Sequence, residues 1–150
     1  MSILWSLQLR REAASVPFAR RLLLGAMETA GVDPDVCYDL CVALSEACAN
    51  AVEHGGKGAG PGAAYQVTAY LDGERCRIEV ADSGPGFSSA PLCPFASEPG
   101  VEAESGRGLM LIQKLADHVR VDNLPGAGGA VVSFDKLLKL RDNAPLTAAV

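Results

Sequence analysis

The stretch from Asp33 to Gly55 constrains the fold of this chain more than any other. Asp33-Pro34 supplies an N-cap and a first-turn proline, and Gly55 supplies a stop, so the sequence predicts one helix of about 20 residues. On a helical wheel, Val36, Leu40, Leu44, Ala47, Ala51 and the cysteines Cys37, Cys41 and Cys48 form a single apolar stripe. Asp39, Glu46, Asn50 and Glu53 gather on an adjoining polar stripe, with Glu46 and Asn50 near the seam. A helix with one broad apolar face must lie on a second layer, and the alternating segments elsewhere in the chain supply it.

Ile3, Trp5, Leu7 and Leu9 alternate with mostly polar neighbours as an opening strand. Ser15 and Pro17 open a helix that runs to about Ala30 and stops at Gly31. Tyr65, Val67, Ala69 and Leu71 alternate as a strand, Asp72-Gly73 is a hairpin turn, and Cys76, Ile78 and Val80 return along a second strand into Asp82. Helix is expected again over 108–118. Two last strands follow at 119–123 and 130–134, joined by a turn-rich connection. The glycine-rich 56–63 reads as a flexible connection, and 83–105, with four prolines and no periodicity, reads as a functional loop such as a lid. The expected fold class is α/β (α+β): a two-layer sandwich of a mainly antiparallel sheet with three helices on one face. Residues 1–140 form the domain and 141–150 a loose tail.

Composition narrows the function. The chain has 150 residues, the size of one domain, and is 49% hydrophobic, enough for a substantial core. Thirteen basic against eighteen acidic residues give a net charge of −5 without a long basic run, which speaks against direct nucleic-acid binding. No apolar run approaches the roughly 20 residues of a membrane span, and the first residues lack a signal-peptide pattern, so a cytoplasmic protein with no membrane contact is expected. Five cysteines with no C-x-x-C pair, three of them on one apolar helix face, read as reduced core residues rather than a zinc site.

Three segments carry chemistry. Asn50 offers a hard carbonyl oxygen suited to Mg²⁺, an ion that takes one or two protein ligands and completes its shell with phosphates and water. Glu46, one turn earlier on the same side, is a candidate proton acceptor. Asp82, at a strand end entering Asp82-Ser83-Gly84-Pro85-Gly86, can accept a hydrogen bond from an exocyclic amine such as adenine's, with Gly84 and Gly86 permitting close backbone approach to a flat base. Gly106-Arg107-Gly108, ahead of a helix and preceded by Ser105, suits phosphate. The P-loop and dinucleotide signatures are absent. His54 closes its helix just before Gly55 and is assigned a structural role there.

Together these segments resemble the GHKL (Bergerat-fold) ATP-binding superfamily, and most closely its anti-sigma-factor serine-kinase family. Glu46–Gly55 resembles that family's N-box, Asp82–Phe87 its G1 box and Glu104–Leu109 its G2 box, within a likeness spanning about residues 3–137. The resemblance implies a Bergerat ATP-binding fold with ATP and Mg²⁺ as ligands. It implies that Asn50 ligates Mg²⁺, Glu46 is the general base, and Asp82 recognises the adenine amine. Gly84 and Gly86 would approach the base, Ser105, Gly106, Arg107, Gly108 and Leu109 would wrap the phosphates, and 87–105 would form the lid. It further implies phosphorylation of a serine on a STAS-type anti-anti-sigma partner, sequestration of a sigma factor, and homodimerisation through the sheets.

The pattern departs at the last strand. Family members often carry threonine after its glycine, whereas Ala130, Val131 and Val132 follow Gly129 and the nearest hydroxyl is Ser133. The hydroxyl for a water-mediated adenine contact is therefore missing, and a lowered ATP affinity is expected. This departure motivates an alternative, a non-catalytic ATP-sensing module that binds a partner. The catalytic half of a two-component histidine kinase ranks lower, because no dimerisation helix pair bearing a phospho-accepting histidine is present. Arg10, Arg11, Arg20 and Arg21 form an early basic cluster that reads either as a partner-facing patch or as a solvated helix face.

Overall fold

The computed structural model describes residues 2–54, 64–82, 103–124 and 129–141. Their elements are β1 (Ser2–Arg10), α1 (Ser15–Thr29), α2 (Pro34–His54), β2 (Ala64–Asp72), β3 (Arg75–Asp82), α3 (Ala103–Leu115), β4 (His118–Leu124) and β5 (Gly129–Leu137). The five strands form one sheet in the order β1-β2-β3-β5-β4, and each adjacent pair is antiparallel. The three helices cover one face, as the alternating strands and the stripe on α2 require.

Register decides which residues look inward. Val67, Val80 and Val132 stand side by side on adjacent strands, as do Ala69, Ile78 and Phe134, and all six are buried under the helices. The helices answer with Leu23 and Met27 from α1, Leu40, Leu44 and Cys48 from α2, and Ile112 from α3. The opposite face is polar. Ser6 and Thr68 share a hydrogen bond of 3.0 Å, and Asp135 accepts from Arg75 at 2.6 Å and contacts His118 at 2.8 Å.

Helix ends follow local chemistry. At the C-terminus of α1, Val32 N–H donates to Met27 and Gly31 N–H to Glu28, a Schellman closure that needs the positive φ of Gly31 (78°). Asp33 then caps α2: its Oδ2 accepts from the Asp35 amide at 3.0 Å, while its carbonyl accepts the first intrahelical bond, from Cys37. At the other end, the Arg11 guanidinium donates to the carbonyls of Val52 at 2.9 Å and Glu53 at 3.4 Å, satisfying acceptors the helix leaves open.

Two expectations are corrected. Helix α3 begins at Ala103 rather than 108 and ends at Leu115 rather than 118. The sheet claims the residues after it: Asp117 N–H donates to Asp135 O, the Asp117 carboxylate accepts from Leu137 N–H, and His118 enters β4. Lys136 Nζ caps the helix end by donating to Leu115 O at 2.7 Å. The final strand also extends past Phe134 to Leu137, because Asp135 and Lys136 find charged or carbonyl partners there. The glycine-rich connection after His54, the proposed lid as far as residue 102, and residues 142–150 lie outside the described residues. Arg141 N–H donates to Gly31 O, so the described chain ends against the turn after α1.

Candidate functional site

Asn50 lies in the C-terminal half of α2 and is 7% exposed. Among the described residues its Nδ2 is buried without a hydrogen-bond partner. An unpaired amide in that setting costs roughly 1–3 kcal/mol, which a hydrogen-bonding ligand would recover. Half a turn about χ2 exchanges Oδ1 and Nδ2 in place, so that corner can present a donor or an acceptor.

Glu46, one turn earlier, is half-buried beside it. Gly108 of α3 roofs both. A Cβ at Gly108 would lie 3.2 Å from Asn50 Nδ2, 3.4 Å from its Oδ1 and 3.4 Å from Glu46 Oε2. The backbone of α3 therefore approaches the two polar side chains as closely as glycine allows. The fold thus brings together the N-terminal and C-terminal motifs, which lie about sixty residues apart in sequence.

Asp82 closes β3 on the helix-covered face, in a row with Tyr65 of β2 and Ala130 of β5. Ala130 is buried and supplies no hydroxyl there. Ser133 stands on the other face, opposite Glu79 and Arg120, so it cannot substitute for one. The helix-covered face of β5 beside Asp82 therefore carries no hydroxyl.

The remaining expected residues divide. Gly84 and Gly86 lie outside the described residues. Ser105, Gly106 and Arg107 fall inside the first turns of α3 rather than ahead of it, so only the leading amides of this helix are unpaired by intrahelical bonds. Leu109 is 6% exposed and packs into the core, leaving its backbone alone for any ligand. Among the described residues, no group of three or more His, Cys, Asp or Glu side chains is placed to hold a metal. A cation here would depend on Asn50 and on ligands from outside the protein, a donor set that suits Mg²⁺.

The basic cluster is broken up. Arg11 is spent on the end of α2, and Arg10 lies 4.0 Å from Glu12 at the surface. Arg20, whose guanidinium is 3.5 Å from Ser45 Oγ, and Arg21 remain on the solvent side of α1. A groove of about 430 Å³ between α1 and the start of α2, lined by Leu24, Tyr38, Cys37 and Cys41, shares no residue with the site.

Sequence reasoning missed the buried polar pair of Tyr65 and Ser15. Tyr65 is 2% exposed, and its hydroxyl lies 2.5 Å from Ser15 Oγ. Burial pushes the phenol up to about 12, although the Ser15 hydrogen bond offsets part of that rise. Burial likewise lifts the Cys48 thiol to about 12. Nothing in a strand alternation distinguishes a tyrosine that only fills space from one whose hydroxyl ties elements together.

Known proteins resemble this chain in sequence and in fold. A family model described as a histidine kinase-like ATPase domain matches residues 9–136. A serine-protein kinase RsbW of Bacillus licheniformis is 34% identical over 131 residues, covering 82% of this chain and 78% of that protein. That of Bacillus subtilis is 33% identical over 125 residues, covering 79% and 78%. The crystal structure of the RsbU and RsbW domains of a Mycobacterium tuberculosis protein matches with a TM-score of 0.64 at 24% identity, over 89% of this chain and 32% of that one. The SiaB–SiaC complex of Pseudomonas aeruginosa matches with a TM-score of 0.63 at 14% identity, over 91% of each chain. The structural likenesses establish the fold, and the curated relatives place the chain within it. This chain belongs to the histidine kinase-like ATPase family, in its branch of anti-sigma-factor serine kinases.

Proposed function

We propose that this protein is an ATP-dependent protein serine kinase that phosphorylates a STAS-type anti-anti-sigma partner and, in its other regulatory state, sequesters a sigma factor. The observation that carries the reading is the buried, unpartnered amide of Asn50, pressed with Glu46 beneath the bare backbone of Gly108. Relatives named as serine-protein kinases, at about a third identity over most of both chains, support the reaction class.

The side-chain carbonyl of Asn50 suits Mg²⁺ bound to a triphosphate; the ion would neutralise phosphate charge. Glu46 accepts the proton of the attacking serine hydroxyl, a task open to a half-buried carboxylate within reach of the same space. Asp82 accepts from the exocyclic amine of adenine, and the leading amides of α3 receive phosphate oxygens. Arg20 and Arg21, beside the exposed Phe18 and Leu22 of α1, offer an acidic partner a surface of mixed charge and apolar character. A cytoplasmic homodimer built from domains of residues 1–140 completes the proposal.

Radiolabelled ATP incubated with a cognate STAS-type protein tests it. We expect Mg²⁺-dependent transfer of label to serine, abolished by Glu46→Gln while ATP binding persists. ATP binding without transfer to any cognate partner would refute the kinase and favour the second reading, a nucleotide-sensing module. That second reading is motivated by Ala130, which leaves the pocket face of β5 without a hydroxyl.

A further inference from the structure

We propose that Arg11 is a positioning residue for the nucleotide site: its guanidinium ties the last turn of α2, the turn that carries Asn50, to the end of the sheet that carries Asp82. The inference rests on the nucleotide-binding reading above and assigns Arg11 no contact with the nucleotide.

Asn50 stands close to where its helix stops. Helix α2 ends at His54, so the carbonyls of Val52 and Glu53 find no donor within the helix. A last turn of this kind frays unless something outside the helix holds it. Asn50 needs that turn intact, because the place of a Cβ on Gly108 is only 3.2 Å from its Nδ2. Arg11 supplies the hold. Its Nε donates to the Val52 carbonyl at 2.9 Å and its Nη2 to the Glu53 carbonyl at 3.4 Å. A planar guanidinium can serve two carbonyls at once, which an ammonium on a flexible stem does less well. Its charge also lies at the negative end of the helix dipole.

The other end of the tether is the sheet. Arg11 directly follows Arg10, the last residue of β1, which pairs with Ala64 of β2. Leu9, two residues before Arg11, stands in one row with Tyr65, Asp82 and Ala130 across β1, β2, β3 and β5. The turn that carries Arg11 is itself tight: Glu12 N–H donates to Arg10 O at 2.7 Å and Ser15 N–H to Glu12 O at 3.0 Å. One side chain thus joins the helix end beside Asn50 to the strand ends beside Asp82, and sets the gap that a nucleotide held by both must span. The Asp33 cap holds the opposite end of the same helix, more than three turns from Asn50, and has no part in that gap.

The test reads nucleotide affinity and the helix end separately. The full chain is titrated with ATP and Mg²⁺, and amide exchange is followed in the nucleotide-free chain, at a temperature where melts show every variant folded. Arg11→Met keeps the stem and removes the donors. It is expected to speed exchange of the Val52, Glu53 and His54 amides and to raise the ATP Kd about fivefold, the factor that follows if the last turn is formed in about one molecule in five. Arg11→Lys, which still reaches a carbonyl, should return Kd to within about twofold of the parent. Asp33→Ala, a cap loss at the other end of α2, should lower the melting temperature and leave both readouts unmoved. If Arg11→Met fails to fold, Arg11→Gln takes its place; it loses the charge and the second donor and should still raise both readouts. An Arg11 variant without the guanidinium that binds ATP like the parent would overturn the proposal, whatever its melting temperature. A raised Kd with exchange unchanged would overturn it too, since Arg11 would then act without α2. A parent protein that binds no ATP would overturn the nucleotide reading first, and this inference with it.

Discussion

A single glycine shows how closely the two halves of the site are fitted. Gly108 has no side chain, yet the position where one would begin is within 3.4 Å of three polar atoms. Gly108→Ala should therefore separate folding from binding. Alanine favours the helix over glycine by about 1 kcal/mol, so the melting temperature should hold or rise. The added methyl pushes the Asn50 amide aside, so ATP affinity should fall by about tenfold, an effect on the order of 1.4 kcal/mol. Calorimetric titration beside a thermal melt checks both signs; a lowered melting temperature with intact binding would contradict the geometry.

At the scale of elements, α2 is the piece on which the site depends, and it is held at both ends. Its first turn is capped by Asp33 and carries Asp35 at the positive end of the helix dipole. Its last carbonyls are held by Arg11. Asp33→Ala removes the acceptor for the Asp35 amide and should cost about 1 kcal/mol of stability, measured by urea unfolding. Because the cap lies more than three turns from Asn50, ATP binding by the folded protein should be unchanged. Helix α3 behaves differently. Its start at Ala103 draws the Gly106–Gly108 segment into regular helix, and its end is fixed by the sheet through Asp117.

For the whole molecule, the buried thiols tie stability to pH. Cys48 and Cys76 are fully buried, and burial raises both thiols to about 12 from the ordinary 9.0. Burial also raises Cys41, to about 11. Between these values the folded chain keeps protons that the unfolded chain has lost, so the unfolded state is favoured as pH rises. Stability contributed by these groups is complete below about pH 8 and declines from pH 9 upward, by roughly 1 kcal/mol per fully buried thiol per pH unit. Urea midpoints measured in reductant at pH 7.5 and pH 10 should show the fall. Cys76→Ala should remove its own share of that fall, whatever it does to the midpoint at pH 7.5.

The sequence by itself determined the elements and the motif residues. A 3.6-residue stripe, strand alternations and the Asp33-Pro34 and Asp72-Gly73 signals depend only on near neighbours, so α2 and the β2–β3 hairpin were legible within a residue or two. Glu46 and Asn50 were legible together because one helical turn is a local distance. Tertiary structure alone decided what each polar group meets. The roof of Gly108, the orphaned amide beneath it, the use of Arg11 at a helix end, and the Tyr65–Ser15 hydrogen bond all join residues far apart in sequence. The bounds of α3 belong with them: its propensity extends past Leu115, but the sheet offers Asp117 and His118 better hydrogen bonds than another helical turn would. Periodicity is a property of a segment, whereas satisfaction of a buried polar group is a property of the space around it, and only the folded chain defines that space.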